Sequence, residues 1–468
     1  IHQKRRFQRR FTKPLFIFSQ RQASTWIYSR SKPKKWRFIR KYEYDWRVDT
    51  RLQKYNNYAL TMISVAAALQ AVLNTTQEFG VEQIPFLKSG GRVLKEAIYA
   101  DRDFPPFHRV SMDGISIDYT AFKKGQRSFR IAGTQAAGSA RLVLQDPKNC
   151  LEVMTGSVLP DNTNTVIRYE DITIKNGIAI VHVDSLQKGQ NIHEKGKDRK
   201  VGDLLIAKNT KIAAAEIGVL ATVGKSFVNV AKQPKIMIVS TGDELVDVGK
   251  IPQEHQIRRS NVFTLVSLLE KFNIASETAH LTDDKPILKS KIKTYLQEYD
   301  VLLFSGAVSK GKFDFLPEVF DELGVEKLFH KVAQRPGKPF WFGSTKNRDL
   351  VAKQPNNKCT IVFGFPGNPI STFVNCLAYF YPWYYNSVGM KVEQETAILS
   401  SAISFKPDLT YFLQVKLSTR FGHLVATPVL GNGSGDLASM IHADAFIQLP
   451  QGQTEFKEGA VFPVIRYR

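Results

Sequence analysis

Three segments of this 468-residue chain set small, hydroxyl or amide residues directly after a short apolar run. Ser240-Thr241-Gly242-Asp243-Glu244 follows residues 236–239. Ser305-Gly306-Ala307-Val308-Ser309-Lys310-Gly311, with Asp314 close behind, follows 301–304. Gly364-Phe365-Pro366-Gly367-Asn368-Pro369 follows 360–363. Small residues let backbone N–H groups approach an anion, and the start of a following helix adds a favourable dipole. The implied ligand is a phosphate or another oxyanion. Each loop alone reads equally well as a strand-to-helix turn with its N-cap, but three of them in one sheet favour a ligand site. Glu244 and Asp314 would put hard oxygen ligands beside that phosphate, as Mg2+ requires, or else cap helices. The turn Arg335-Pro336-Gly337-Lys338-Pro339 offers cations to balance an anion, or is a basic surface turn. Ser111-Met112-Asp113-Gly114 taken alone is an ordinary Asp-Gly turn.

The elements that must position these residues are legible as alternation. Helical spacing at 261–272, 285–298, 313–323 and 370–388 separates the apolar runs, which predicts a parallel, Rossmann-like α/β domain over 233–389 with ligands beyond the carboxyl ends of its strands. Upstream, 62–75 and 90–100 read as helices, 110–205 as a β-rich domain of short alternating runs, and 209–223 as helix again. Residues 62–109 and 206–232 are thus expected to form a helical linking domain. Residues 390–468 return to short strands and predict a C-terminal β-barrel or sandwich. The fold class is multidomain α/β and β.

A composition of 43% hydrophobic and 23% charged residues excludes a disordered chain, and no apolar run is long enough for a membrane span. Cys150, Cys359 and Cys376 are too scattered for a disulfide framework or a zinc pattern, which predicts reduced thiols and a cytoplasmic location. The net charge of +22 is uneven: residues 1–61 hold 17 Lys and Arg against 3 acidic residues, and the remaining 407 are nearly balanced. Three readings of that basic stretch stand, namely upstream sequence translated in error, a targeting extension, or a nucleic-acid arm. The first is the expectation, with no nucleic acid expected for 62–468.

In order and spacing the motifs resemble the MoeA/gephyrin E-domain family of molybdopterin molybdotransferases from about residue 62 to 468. The resemblance is carried by Phe104-Pro105-Pro106-Phe107 leading to Ser111–Gly114, Met154-Thr155-Gly156 with Pro160 and Glu170, and Gly196-Lys197-Asp198 with Gly202. It continues through Ser240–Leu245, Asn261, Asp283-Asp284, Ser305–Asp314, Pro336–Pro339, Pro366–Ser371 and Gly433-Ser434-Gly435. It implies a four-part subunit in an elongated homodimer that inserts molybdate into adenylylated molybdopterin with Mg2+ and releases AMP. Asp113, acting from the partner subunit, and Glu244 and Asp314 would position the metal and serve the hydrolytic step. Thr155, Asp198, Lys331, Arg335 and Lys338 would contact substrate or oxyanion. Ser240, Thr241, Gly242, Ser305, Gly306, Ser309, Pro366, Gly367, Asn368 and Pro369 would bind the pterin phosphate. Proteins of molybdopterin synthesis and of molybdoenzyme maturation are the implied partners. Alternatives are a molybdopterin adenylyltransferase, which shares only the 233–389 part, and a gephyrin-like scaffold. Departures from the family pattern are Ala307 for a glycine, Ile115 for an aromatic, and Gln414 where an arginine is expected.

Overall fold

The computed structural model describes residues 62–306, 314–345 and 359–468, so the basic stretch 1–61 and Ser309 lie outside the described residues. Six strands form the central sheet in the order Ser276–Leu281, Ile236–Thr241, Val301–Ser305, Ile361–Phe365, Trp341–Ser344, Glu326–His330. The first four are mutually parallel, Trp341–Ser344 runs against them, and Glu326–His330 pairs antiparallel with Trp341–Ser344 and so runs with them again. Strands buried on both faces need apolar side chains at every position, and alternation then sorts them. Ile236, Ile238, Val301, Leu303, Ile361, Phe363 and Phe365 enter one core; Met237, Val239, Leu302, Phe304 and Val362 enter the other.

Helix Asn261–Glu270 covers the first face with Val262, Leu265, Leu268 and Leu269, while Lys285–Glu298 and Leu316–Glu322 cover the second. The Asp284 carboxylate caps Lys285–Glu298, accepting from the Ile287 amide at 2.9 Å. The last helical run, expected as one helix over 370–388, is Pro369–Asn375 and Tyr381–Val388 joined by a π-turn at Cys376–Phe380. Pro382 lacks the N–H that a regular turn would need there, and a widened turn just before it accommodates the ring.

Two expectations for the linking region are corrected. Residues 90–100 are not helical: Gly90-Gly91 disfavours a helix start, and the backbone beyond is committed elsewhere, the Leu94 amide to Thr210 O at 2.9 Å and the Lys95 amide to Asn229 O at 2.8 Å. Ile98–Tyr99 instead pairs with Leu204–Ile206, and Val81–Pro85 with Phe227–Ala231. The helix Val65–Leu73 does form, capped by Ser64, but Val65, Ala68 and Val72 pack into the α/β core beside Val374 and Trp383. The linking part is therefore mostly β-ribbon with one helix, Ala214–Thr222.

The β-rich part holds a six-stranded sheet in the order Thr165–Arg168, Gly114–Ile117, Asn149–Val153, Ser128–Gln135, Ile178–Val181, Ile172–Lys175. At the C-terminus, Thr410–Arg420, His423–Pro428, Thr396–Leu399, Val461–Arg466 and Ala445–Leu449 close on themselves as a five-stranded barrel. Gln334–Arg335 pairs parallel with Thr410–Tyr411, stitching the basic turn of the α/β part to the barrel. Among the described residues no helix is long and apolar enough to cross a membrane.

Candidate functional site

Register brings the three loops together. Ser240 lies opposite Ser305, and Ser305 opposite Phe365, so the loops leave one edge of the sheet side by side. They enclose a cleft of about 670 Å3 lined by Ser240, Thr241, Gly242, Glu244, Ser305, Gly306, Asp314 and residues 366–369. Two glycines are required by shape. Gly242 has φ +131 and a Cβ there would lie 2.4 Å from a Glu244 carboxylate oxygen; Gly306 has φ +109 and its Cβ would meet Thr241 O at 2.9 Å. Asn261, which the sequence placed only at a helix start, ties the loops together: its amide donates to Ser305 Oγ at 2.8 Å and to Gly367 O at 2.7 Å. Asn368 donates to Ser434 Oγ at 2.9 Å, joining the third loop to the Gly433-Ser434-Gly435 segment. Because Gly306 abuts backbone, Gly306→Ala should strain the loop by about 1–3 kcal/mol. We expect ligand affinity in the cleft to fall at least tenfold on calorimetric titration, with secondary structure by circular dichroism unchanged.

The acidic side of the cleft has more members than sequence reasoning ranked. Glu244 and Asp314 line it, and so does Asp283. Asp284 of the same pair is spent on the helix cap, which leaves Asp283 for the cleft; the only signal in the sequence was the doubled aspartate itself. Asp283 Oδ1 is buried without a hydrogen-bond partner. Burial, and then the charges of Asp243, Glu244 and Asp314, raise its pKa above the ordinary aspartate value. Among the described residues no three His, Cys, Asp or Glu side chains already converge as a metal site. Arg259 also lines the cleft, and no motif had singled it out.

A second pocket of about 480 Å3 adjoins the cleft, sharing Pro339, Pro366 and Asn368 with it. Arg335 and Lys338 line it, facing Tyr411, Gln414 and Ser434 of the barrel side. A buried network fixes this basic turn: Gln334 Nε2 donates to Pro336 O at 2.9 Å and to Asn375 Oδ1 at 2.8 Å, and the Tyr379 hydroxyl donates to Gln334 Oε1. Where an arginine was expected, Gln414 is a neutral, buried side chain whose Oε1 accepts from Ser439 Oγ at 3.1 Å. Lys331 lines neither pocket. Its backbone, at φ +129, is engaged with Ile63 and Phe340.

The remaining residues are placed elsewhere in the subunit. Asp113 Oδ1 accepts from the Thr155 amide at 2.6 Å, and that hydrogen bond, helped by the Thr155 side chain, holds its pKa below the usual aspartate value. Gly114 follows because a Cβ there would lie 1.9 Å from Ile167 O. Both Asp113 and Thr155 sit exposed in the β-rich part and neither lines the cleft. Asp198 pairs with His193 at 2.8 Å and borders a separate small pocket with Phe104 and Arg199. One subunit thus brings together the α/β loop residues and, beside them, Arg335 and Lys338, but not Asp113, Thr155, Asp198 or Lys331.

A parallel sheet whose carboxyl-end loops enclose an acidic, glycine-shaped cleft, with a basic pocket against an appended barrel, defines a phosphate-binding α/β protein with added β parts. Comparison with known proteins narrows this class. Residues 63–224 match the MoeA N-terminal region (domain I and II), 237–383 a probable molybdopterin binding domain, and 396–467 the MoeA C-terminal region (domain IV). A molybdopterin molybdenumtransferase of Synechocystis is 40% identical over 405 residues, 86% of this chain and 99% of that protein. One from Staphylococcus aureus is 29% identical over 413 residues, covering 86% of this chain and 95% of its own. A crystal structure of the molybdopterin biosynthesis MoeA protein from Pyrococcus horikoshii superposes with a TM-score of 0.71 at 27% identity, over 87% of this chain and all of that one. The chain belongs to the MoeA family, whose work lies in molybdenum cofactor biosynthesis.

Proposed function

We propose that this protein transfers molybdenum to molybdopterin, taking an adenylylated molybdopterin and molybdate and releasing AMP. The observation that carries the reading is the shared wall: an acidic cleft shaped for phosphate and a pocket holding Arg335 and Lys338 meet at Pro339, Pro366 and Asn368. The glycine-bearing loops and Asn261 hold the anhydride phosphates, while Arg335 and Lys338 offer charge-assisted hydrogen bonds to a tetrahedral dianion. Molybdate held there lies next to a pterin dithiol whose phosphate is in the cleft. One molybdate oxygen leaves as water with the two thiol protons as the sulfurs bind, and water cleaves the anhydride to free AMP. The buried thiols of Cys150 and Cys376 suit a reducing, cytoplasmic setting.

Glu244, Asp283 and Asp314 suit a Mg2+ ion, because Asp283 carries a buried oxygen with no partner among like charges. When bound, the ion offsets phosphate charge and lowers the pKa of its waters. Asp113 and Thr155 complete the site from the partner subunit of a homodimer, since within one subunit they do not reach the cleft lining. The homodimer offers docking to proteins that make the pterin or receive the finished cofactor.

The test is to incubate the full chain with adenylylated molybdopterin, molybdate and Mg2+ and to follow AMP release with active cofactor formation; no turnover refutes the reading. A sharper expectation concerns Asp283. Its raised pKa means that the ionised form is held at a cost in the metal-free fold, so stability should increase as pH falls through that pKa. Asp283→Asn should raise metal-free stability near neutral pH, a gain that disappears on acidification, while weakening Mg2+ binding at least tenfold. Thermal unfolding across pH and Mg2+ titration read the two opposite effects.

A further inference from the structure

Arg259 sits on the wall of the cleft in an arrangement that is incomplete by itself. Its backbone is fixed close to the acidic loop, because the Arg259 amide donates to Val246 O at 3.0 Å and the neighbouring Ile257 amide to Glu244 O at 2.9 Å. One guanidinium nitrogen pairs with Asp247, yet Nε is buried and has no hydrogen-bond partner. Among the described residues it is the one cationic nitrogen in that state. A buried donor left unmade is costly, and an arginine fork has donors matched to phosphate oxygens. The Asp247 partner is more than half exposed, at 57%, whereas the Arg259 side chain is only 16% exposed. An ion pair whose acidic member stands in water holds weakly and exchanges readily.

The electrostatics of the cleft give that exchange a direction. Glu244, Asp283 and Asp314 line it, with Asp243 close enough to add to the upward shift of Asp283, and a phosphoanhydride entering this surface brings further negative charge. A metal ion offsets part of it. Arg259 is the half-buried cation on the same wall, while Arg258 turns its Nε to Lys250 O at 3.0 Å.

We propose that Arg259 is a phosphate-binding residue of the cleft that trades its Asp247 partner for a phosphate oxygen of the adenylylated substrate. The inference rests on the adenylate reading of the cleft given above. Asp247 serves as a placeholder that keeps the guanidinium on the cleft wall before substrate arrives. The two residues therefore act with opposite signs on binding, which a merely structural ion pair cannot do.

The test uses ADP with Mg2+, a ligand that joins adenylate to a second phosphate through an anhydride, titrated into the full chain by calorimetry. Arg259→Gln should weaken ADP binding tenfold or more, with Arg259→Lys recovering part of the loss, because a point charge replaces the fork only incompletely. Asp247→Asn, which frees the guanidinium from its placeholder, should tighten it a few-fold. Equal affinity in the parent and Arg259→Gln overturns the inference and leaves the cleft reading standing, as does an Asp247→Asn affinity no tighter than the parent's. A parent chain that does not bind ADP overturns the adenylate reading and the inference with it. Should Arg259→Gln fail to fold, the sign of the Asp247→Asn effect decides.

Discussion

Asp113→Ala should lower the rate of AMP release by ~100-fold or more, the scale expected when a carboxylate that orients a metal-bound water is removed, while ADP binding in the cleft stays within twofold of the parent. Glu244→Ala should be comparably slow. The two variants differ in where their lesions lie: Glu244 is on the α/β loop that lines the cleft, and Asp113 is on the β-rich part outside it. If the partner subunit supplies Asp113, a mixed dimer carries both lesions at one site and none at the other. Unfolding and refolding an equimolar mixture should then restore about a quarter of parental activity, since half the dimers are mixed and each has one intact site of two. A mixture as inactive as its components, with dimers verified by light scattering, removes the intersubunit site. Asp113→Asn is the finer control. The carboxylate is held ionised by the Thr155 amide, so the amide isostere keeps the shape and loses the charge. Activity retained in that variant would make Asp113 a structural acceptor.

How much of this was legible beforehand depended on range. Three inner strands of the central sheet were readable because strands buried on both faces must be apolar throughout, and 236–239, 301–304 and 360–363 had no competing reading once helical spacing separated them; Ser276–Leu281, Glu326–His330 and Trp341–Ser344, with polar positions or edge placement, were not. The loops behind the three inner strands were readable for the same reason, as residues after such strands fall at one edge. What failed was the linking region. Residues 90–100 have helical spacing, but the Leu94 and Lys95 amides donate to Thr210 O and Asn229 O, and the Leu94 carbonyl accepts from Asn209 N, all more than a hundred residues away. Propensity yields to such pairing, and nothing local announces it. Asp283-Asp284 entered the resemblance without a role in the site, because nothing in the sequence divides such a pair; only the structure shows that Asp284 is the cap and Asp283 carries the unpartnered oxygen. The resemblance grouped Lys331 with Arg335 and Lys338 as an oxyanion contact, yet the backbone turns after Lys331 and only Arg335 and Lys338 line the pocket.

The largest stability effect should come from Phe363→Ala, and its reason bears on the cleft itself. Phe363 is fully buried in the middle of the Ile361–Phe365 strand. Its ring contacts those of Phe342 at 4.9 Å, Phe380 at 5.7 Å, and Phe365 and Trp383 at 5.9 Å. Truncation leaves a cavity walled by rings that are held by the sheet on one side and by the final helix on the other, so collapse is limited and the cost should be about 3–5 kcal/mol. Denaturant unfolding followed by tryptophan fluorescence, which Trp383 reports from this core, should show the corresponding loss in the transition assigned to the α/β part. The helix that packs on Phe363 also carries Asn375 and Tyr379, the residues that hold the Arg335–Lys338 turn through Gln334. A looser seat for that helix should therefore weaken oxyanion binding beside Arg335 and Lys338 well before the fold is lost. Phe363→Leu, which keeps most of the volume, should cost less than half as much and leave molybdate affinity within twofold. If Phe363→Ala unfolds early yet binds molybdate as tightly as the parent below its transition, the core and the basic turn are not coupled through that helix.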